Sequence, residues 1–476
     1  MKKHDIAAVL GGLAFTGLFY EESPGINFLL FAAVYGILLL ALDTGKAKDP
    51  TWWFYFSVML LASVAVVTVN TALSVFSFLV SILAFTGKNC ALKNSIVAAA
   101  IFTAFNLAKA PFEVVIRSYR WLENTGNERR KKLVHALSGG VVALVLGFVF
   151  LLLYRCSNPL FNDYVGSVSF EWLDIGWWLF ALFSCILVYG LTSGSVIPIV
   201  VQTDERLQAD LMPQNETRKN GADTATITAV ALFSLLNLML LLMNFLDLQN
   251  IFRGAKLPAG LTLADFVHEA VFSLVASTFI AIALVMLFFR GALNFGRYSG
   301  LVKVLVYIWI FQNILVIVNA GYRNLLYIDE YQLSRLRIGV FVFLFFCLAS
   351  LCLTFFKLRN NKSSWWLFAG NFVMVLLVLV CLSLPNWDGI ISRYNISNQS
   401  SSKPLDKEYL LQLGKGNLPE LLQLYNDGKL NVTEKKQFFR KVMREYRENR
   451  FQRWPSYNFR SAENNQVVIR VFDGNS

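Results

Sequence analysis

Residues 336–356 read LRIGVFVFLFFCLASLCLTFF, and no charged residue lies between Arg337 and Lys357. A run of about 20 apolar residues, wound as an α-helix, spans the roughly 30 Å hydrocarbon core of a bilayer. The pattern recurs on both sides of this stretch. Toward the N-terminus the runs are Leu301–Ala320, Phe266–Phe289, Thr224–Phe245, Trp172–Leu191, Leu133–Tyr154, Ala72–Phe85, Trp52–Val69, Ile26–Leu42 and Ile6–Tyr20. Toward the C-terminus Trp365–Leu384 closes the series. Overall 56% of the 476 residues are hydrophobic and 16% charged, where a soluble domain carries about 25% charge. Lipid is the solvent such a chain fits. The expected fold is all-α: a polytopic membrane helix bundle over residues 1–384, with about eleven spans, and a small, mainly helical soluble tail over residues 385–476.

Ser95–Trp121 is the stretch that sets the topology. It is apolar to Leu107 and then meets Lys109, Pro111, Glu113, Arg117 and Arg120. Suppose the N-terminus is cytoplasmic and this stretch does not cross. The inside loops then hold Lys2, Lys3, Lys46, Lys48, Lys88, Lys93, the basic series from Arg117 to Lys132, Arg290, Arg297, Lys303, Lys357, Arg359 and Lys362. The outside loops hold Glu21, Glu22, Asn70, Asp163, Glu171, Asp329 and Glu330. Basic residues are retained on the cytoplasmic side of membranes, and this arrangement satisfies that rule. A crossing would turn Arg129-Arg130-Lys131-Lys132 outward. The stretch is therefore expected to be re-entrant or interfacial, with its basic end among headgroups. The N-terminus is expected in the cytoplasm and the tail on the outer side of a bacterial-type inner (plasma) membrane. Trp52, Trp53, Trp172, Trp177, Trp178, Trp365, Trp366 and Trp387 cluster at run ends, the positions of an interfacial aromatic belt. Met1-Lys2-Lys3-His4-Asp5 opens like a signal peptide, but no clean small-x-small cleavage site follows, and the segment reads as a retained first helix.

The net charge is +12, yet most basic residues sit in short loops between apolar runs, where they orient helices. The lipid bilayer, not nucleic acid, is the expected partner. Of six cysteines, Cys185, Cys347, Cys352 and Cys381 lie inside apolar runs, and no C-x-x-C occurs, which removes zinc and redox-pair readings. Three histidines do not build a multi-histidine metal centre. The sequence has no G-x-x-x-x-G-K-[ST], H-E-x-x-H or G-x-S-x-G. No cofactor, metal or catalytic set is expected.

After Leu384 the composition changes. Ser392–Pro404 is polar and linker-like. Asp406–Leu413 reads as a short helix. Asn417-Leu418-Pro419-Glu420 is a capped helix start, and Gly428 stops that helix. Thr433–Phe451 reads as a charged helix with Phe438, Phe439, Val442 and Tyr446 on one face. Val467–Phe472 reads as a short strand.

Polar residues are densest in Tyr322–Ile338, which joins two apolar runs. Arg323, Tyr327, Asp329, Glu330, Tyr331 and Arg337 form the candidate cluster, with Arg323 and Arg337 as partners for Asp329 and Glu330. An ion-pair clamp on a helix hairpin is favoured over a binding site. Within the spans Gln312, Asn313, Asn237, Asn244 and Asn371 are amides at depth. They serve either as hydrogen bonds between helices or, together with His268 and Glu269, as a polar path for a substrate. Lys109 and Glu113 stand i, i+4, the spacing of a salt bridge beside Pro111.

Several stretches in order resemble an uncharacterised bacterial family of multi-pass membrane proteins catalogued as a domain of unknown function. Leu18-Phe19-Tyr20 through Gly25 is similar to its opening hairpin. Ser157-Asn158-Pro159-Leu160-Phe161 follows a long apolar helix as in the family. Tyr327, Tyr331, Leu333 and Arg337, with Ser334 for Thr, match its Tyr-x-x-x-Tyr-Gly-Leu-Thr-x-x-Arg signature, and Gln332 stands where the family has Gly. Pro385-Asn386-Trp387-Asp388, Arg393-Tyr394-Asn395, Asp406 to Leu413 and Pro419-Glu420-Leu421 resemble its post-membrane segment. The resemblance implies no established activity. Members are often labelled beta-carotene monooxygenase, which implies an iron held by four histidines, and a chain with three histidines does not fit that label.

The functional expectation is non-enzymatic envelope sensing or scaffolding, with a protein partner in the envelope reached through the tail. A transporter of a small solute or lipid is the alternative, resting on the amides at depth. An intramembrane transferase acting on a lipid-linked substrate from the Tyr322–Arg337 connection is the second.

Overall fold

The computed structural model describes residues 3–123, 174–212, 219–252, 299–400, 403–449 and 452–473, with shorter stretches between 140 and 161 and between 280 and 295. Among the described residues there is no strand, and eight helices are long and apolar enough to cross a membrane. The all-α polytopic architecture holds. The chain divides into two compact units, residues 1–22, 33–49 and 101–195, and residues 23–32, 50–100 and 196–476.

The first unit is built on α1 (Lys3–Phe19) and α6 (Ile175–Thr192), with the later part of α2 (Ile26–Leu42) and most of α5 (Ile96–Glu123). α1 and α6 run antiparallel: the Tyr20 hydroxyl, just past α1, donates at 2.9 Å to Asp174, which caps the start of α6. Small residues let helix backbones approach closely where lipid gives no hydrophobic drive. Gly12 is such a place, because a Cβ there would lie 2.6 Å from the Cys185 Cα.

α5 continues unbroken through Pro111. The segment does not double back, which corrects the re-entrant form of the expectation, and Ile96–Arg117 has the length and hydropathy of a span. Its polar face is used inside the unit. Asn106 donates to the Ser195 carbonyl at 2.9 Å, and Tyr189 donates to Glu113 at 3.0 Å. Lys109 pairs with Glu113 at 3.4 Å as the i, i+4 spacing predicts, and Arg117 pairs with Asp5 at 3.3 Å. All these partners on other elements lie at one end of the α1/α6 pair. The opposite face of α5, with Ile101, Phe105, Phe112, Val115 and Ile116, is exposed.

The second unit begins with the hairpin α3 (Pro50–Thr68) and α4 (Ala72–Cys90). Asn70 takes the left-handed conformation at the turn, and Thr71 and Ser74 form a capping box at the start of α4. Then come α7 (Pro198–Gln208), α8 (Lys219–Phe252), α9 (Ser299–Tyr331), α10 (Arg335–Arg359) and α11 (Ser364–Ser383). Asn237 bonds to Leu305 and Asn244 to Gln312, both with a sequence offset of 68. A constant offset means that α8 and α9 run parallel, so the chain must return between them. Val285 and Phe289 lie on that return and pack with Phe233, Val302, Val306 and Leu351.

The tail follows as α12 (Trp387–Ser397), α13 (Lys407–Gln412), α14 (Leu418–Asn426), α15 (Val432–Asn449) and α16 (Phe459–Asp473). Ile391, Leu410, Leu418, Leu421, Phe438, Val442, Val467 and Val471 form its core. Two sequence expectations are corrected here. The supposed linker from Ser392 is helical as far as Ser397, because its polar residues face inward: Ser392 and Asn395 are buried. The supposed strand at Val467–Phe472 belongs to α16. Val467, Val468 and Val471 recur at helical spacing on the buried side, while Ile469 and Phe472 are exposed, so tertiary burial overrides β-branched propensity. Gly428 does stop α14, at φ +66°.

Candidate functional site

The cluster in Tyr322–Arg337 is assembled differently from its sequence reading. Arg323 and Asp329 are six residues apart on α9, a rotation of about 600°, so they cannot face one another. Arg323 pairs with Asp247 of α8 at 2.5 Å, and Asn319 donates to the other oxygen of that carboxylate at 2.5 Å. Asp329 pairs with Lys403 of the tail at 3.0 Å. Arg337, one turn into α10, reaches back to the Tyr331 carbonyl at 2.6 Å and to that of Gln332. It thereby satisfies carbonyls left over at the end of α9, and its guanidinium lies 4.3 Å from the Tyr327 ring centroid and 5.9 Å from that of Tyr331. Glu330 is exposed.

The turn from α9 to α10 is where the tail attaches. Gln332 holds φ +69°, a conformation that favours glycine, and its side chain donates to the Pro404 carbonyl at 2.9 Å. Asn395 of α12 brackets the next residue: its carbonyl oxygen accepts from Leu333 N–H at 2.8 Å, and its amide donates to the Leu333 carbonyl at 3.0 Å. Arg335 N–H donates to the Tyr409 hydroxyl at 3.0 Å, and Arg335 Nε to Asp388 at 3.1 Å. Leu333 and Ile338 pack on the tail core itself.

A second attachment lies at the other end of the tail. Ser23 N–H donates to Ser456 Oγ at 2.7 Å and Ile26 N–H to the Tyr457 carbonyl at 2.8 Å. Gly25 is required there, because a Cβ would lie 2.5 Å from the Ser456 backbone. Asn70 closes the set by donating to the Pro24 carbonyl at 3.0 Å. Three of the four stretches that carry the family resemblance, at Gly25, Tyr327–Arg337 and 385–421, thus meet at these attachments.

Behind the joint, Asn417 is a buried hub and not the side-chain cap its sequence context suggested. It donates to Ser392 Oγ at 2.9 Å and to the Leu410 carbonyl at 2.8 Å, and accepts from Lys441 at 2.8 Å. Burial pushes the Lys441 ammonium down to about 8, the nearby Asp388 countering only part of that cost. Burial also raises the carboxyl of Glu420, which accepts from Arg393 at 2.9 Å.

At the far end of the unit stands a centre that sequence reasoning missed. Asp204 is 3% exposed. It accepts from Ser95 N–H at 2.8 Å, Ser95 Oγ at 2.5 Å, Asn94 Nδ2 at 3.0 Å, Gln208 Nε2 at 2.5 Å and Trp365 Nε1 at 2.8 Å. Burial opposes ionisation, but the donors from Ser95, Trp365 and Asn94 outweigh it and hold the carboxyl below its usual value. Lys88 is also buried, and it donates to the Leu92 carbonyl at 2.5 Å and to the carbonyl of Asn94, one of the donors to Asp204. Nothing in sequence set Asp204 apart from its neighbouring acids Glu205, Asp210 and Glu216.

The amides at depth form a ladder between α8 and α9. Gln312 donates to Asn237 at 2.7 Å, Asn237 to the Leu305 carbonyl at 2.9 Å and Asn244 to the Gln312 carbonyl at 3.3 Å. Gln312 Oε1 is buried and accepts nothing among the described residues. Asn313 donates to the Trp309 carbonyl of its own helix, at 2.7 Å, and stays out of the ladder. His268 and Glu269 lie outside the described residues. No group of three or more His, Cys, Asp or Glu able to hold a metal occurs among the described residues.

Together these features define a polytopic helical membrane protein whose C-terminal helices are bonded to the connections at one end of its bundle. The chain belongs to the family described as Domain of unknown function (DUF4153), which matches residues 7–424. No curated protein and no solved structure matches it. α15 and α16 lie beyond the matched residues.

Proposed function

We propose that this chain is a non-enzymatic protein of a bacterial-type inner membrane, and that its tail senses or scaffolds an envelope protein and transmits that contact to the helix ends. The observation that carries this reading is the double attachment: Asn395 and Asp388 hold the α9–α10 turn, and Ser456 and Tyr457 hold the start of α2. A load on the tail is thereby felt at the ends of three helices, α2, α9 and α10. A partner surface is available on α15. Its acids Glu434, Glu445 and Glu448 face Lys407 and Lys415 at 3.9–4.0 Å. Lys436, Arg440, Arg444 and Arg447 are left exposed along one edge. Like charges at i, i+4 disfavour a helix slightly, and an acidic partner would relieve them.

The basic loop residues favour a cytoplasmic N-terminus and an outer tail. The confinement of the polar contacts of α5 to one end of the α1/α6 pair favours an interfacial α5. Reporter fusions at Ser476 test the topology: activity only of the externally active reporter is expected, and activity only of the cytoplasmic one overturns it. For function, a chain ending at Leu384 should insert but fail to complement a deletion strain, and Arg335→Ala/Asn395→Ala should fail in the same way while retaining a folded tail. Full complementation by both would overturn the sensing reading. The polar ladder, in which Gln312 Oε1 accepts nothing among the described residues, favours transport of a small polar solute or lipid as a second reading. Unchanged uptake and flipping by Gln312→Leu would remove it.

A further inference from the structure

The turn from Trp454 to Phe459 presents three large aromatic side chains outward: Trp454 is 67%, Tyr457 44% and Phe459 57% exposed. The residues between them face the other way, with Pro455, Ser456 and Asn458 buried. The frame is stiff. Tyr457 N–H donates to the Trp454 carbonyl at 3.1 Å, Asn458 Nδ2 to the Ser456 carbonyl at 3.2 Å, and Ser461 N–H to Asn458 Oδ1 at 2.8 Å. The Tyr457 and Phe459 rings lie 5.7 Å apart. Exposed aromatic clusters of this kind on a soluble surface mark an interaction site.

The level of the turn identifies the occupant. α2 starts at Ile26 after the acidic pair Glu21-Glu22, and from Ile26 to Leu42 it carries no charged residue and is apolar apart from Asn27 and Tyr35. Ile26 therefore stands at the boundary between headgroups and hydrocarbon. The Tyr457 carbonyl is bonded directly to Ile26 N–H, and the Ser456 backbone packs on Gly25. The aromatic turn is fixed at that boundary by the protein's own membrane helix. Trp and Tyr concentrate at this depth because their rings are apolar while the indole N–H and phenol O–H bond to headgroups and water.

We propose that Trp454, Tyr457 and Phe459 form an interfacial anchor that seats the tail in the lipid headgroup layer of the leaflet it faces. The tail is then held by three supports: the α9–α10 turn, the start of α2 and the lipid itself. This does not depend on the side of the membrane or on a protein partner for α15.

Nitroxides placed one at a time at positions 454, 457 and 459 test it, in a folded chain whose native cysteines are replaced, reconstituted in nanodiscs of phosphatidylethanolamine and phosphatidylglycerol. Positions 436 and 440 on α15 serve as references. At the three aromatic positions, collision with a water-soluble nickel chelate should fall at least about threefold below the references, with oxygen collision raised, as at an interface. Chelate access equal to that at 436 and 440 overturns the proposal. Hydroxyl-radical footprinting of the unaltered chain gives a check that needs no substitution. Slow oxidation of Trp454 and Tyr457 in nanodiscs is expected. Fast oxidation in nanodiscs with protection only in cells would assign the surface to a protein and overturn the lipid assignment.

Discussion

Two regions of the second unit use the same side chain for opposite ends. In the ladder between α8 and α9, asparagine and glutamine bridge two helices whose own backbones are already satisfied. At the tail joint, Asn395 bonds the backbone of Leu333, which lies in a turn and has no helix partner. Loss of an amide from the ladder leaves the helices packed through Phe233, Val306 and Trp309. Loss of the amide at the joint leaves a backbone N–H and carbonyl orphaned. The cost of a polar substitution thus depends on what the partner can do afterwards.

The charged rung gives the sharpest break in that comparison. Asp247→Leu takes the Asp247 carboxylate from Arg323, whose side chain is 17% exposed, and breaking a buried pair costs about 3–5 kcal/mol. The double variant Asp247→Leu/Arg323→Leu should recover most of the loss. Unfolding in mixed micelles measures both, and a double variant as unstable as the single one would contradict the pairing. Asn395→Ala at the joint should cost about 1–3 kcal/mol, read as faster protease cleavage between residues 398 and 403. Gln332 separates conformational strain from bonding. Gln332→Ala keeps φ +69° and loses the bond to Pro404, a loss of about 1 kcal/mol, whereas Gln332→Gly removes the strain as well and should come out near neutral. Melting temperatures of the two variants should therefore differ, with Gly the higher. Gln312→Leu in the ladder should be the mildest, about 0.6 kcal/mol.

The apolar runs announced the helices because a bilayer permits little else, and Lys109–Glu113 was readable from i, i+4 spacing alone. The joint was hidden because its bonds join residues far apart in sequence, 62 apart for Leu333 and Asn395 and 433 apart for Ser23 and Ser456. Arg323 was matched to Asp329 by proximity in sequence, although six residues on a helix point them apart. Asn395 and Ser392 looked like linker composition because polarity in sequence does not reveal that a polar group is buried against a backbone. Gln332 was the exception: its place where the resembling family has glycine marked the turn whose left-handed backbone the tail then braces.

Hydrogen exchange at two backbone amides tests the tail attachment most directly. Leu333 N–H is donated to Asn395 and Ile26 N–H to Tyr457. Peptides covering 329–338 and 23–28 should exchange slowly in the full chain in nanodiscs, and both should become fast when the chain ends at Leu384. Fast exchange of both in the full chain, or slow exchange that survives removal of the tail, would contradict a tail bonded to the helix ends.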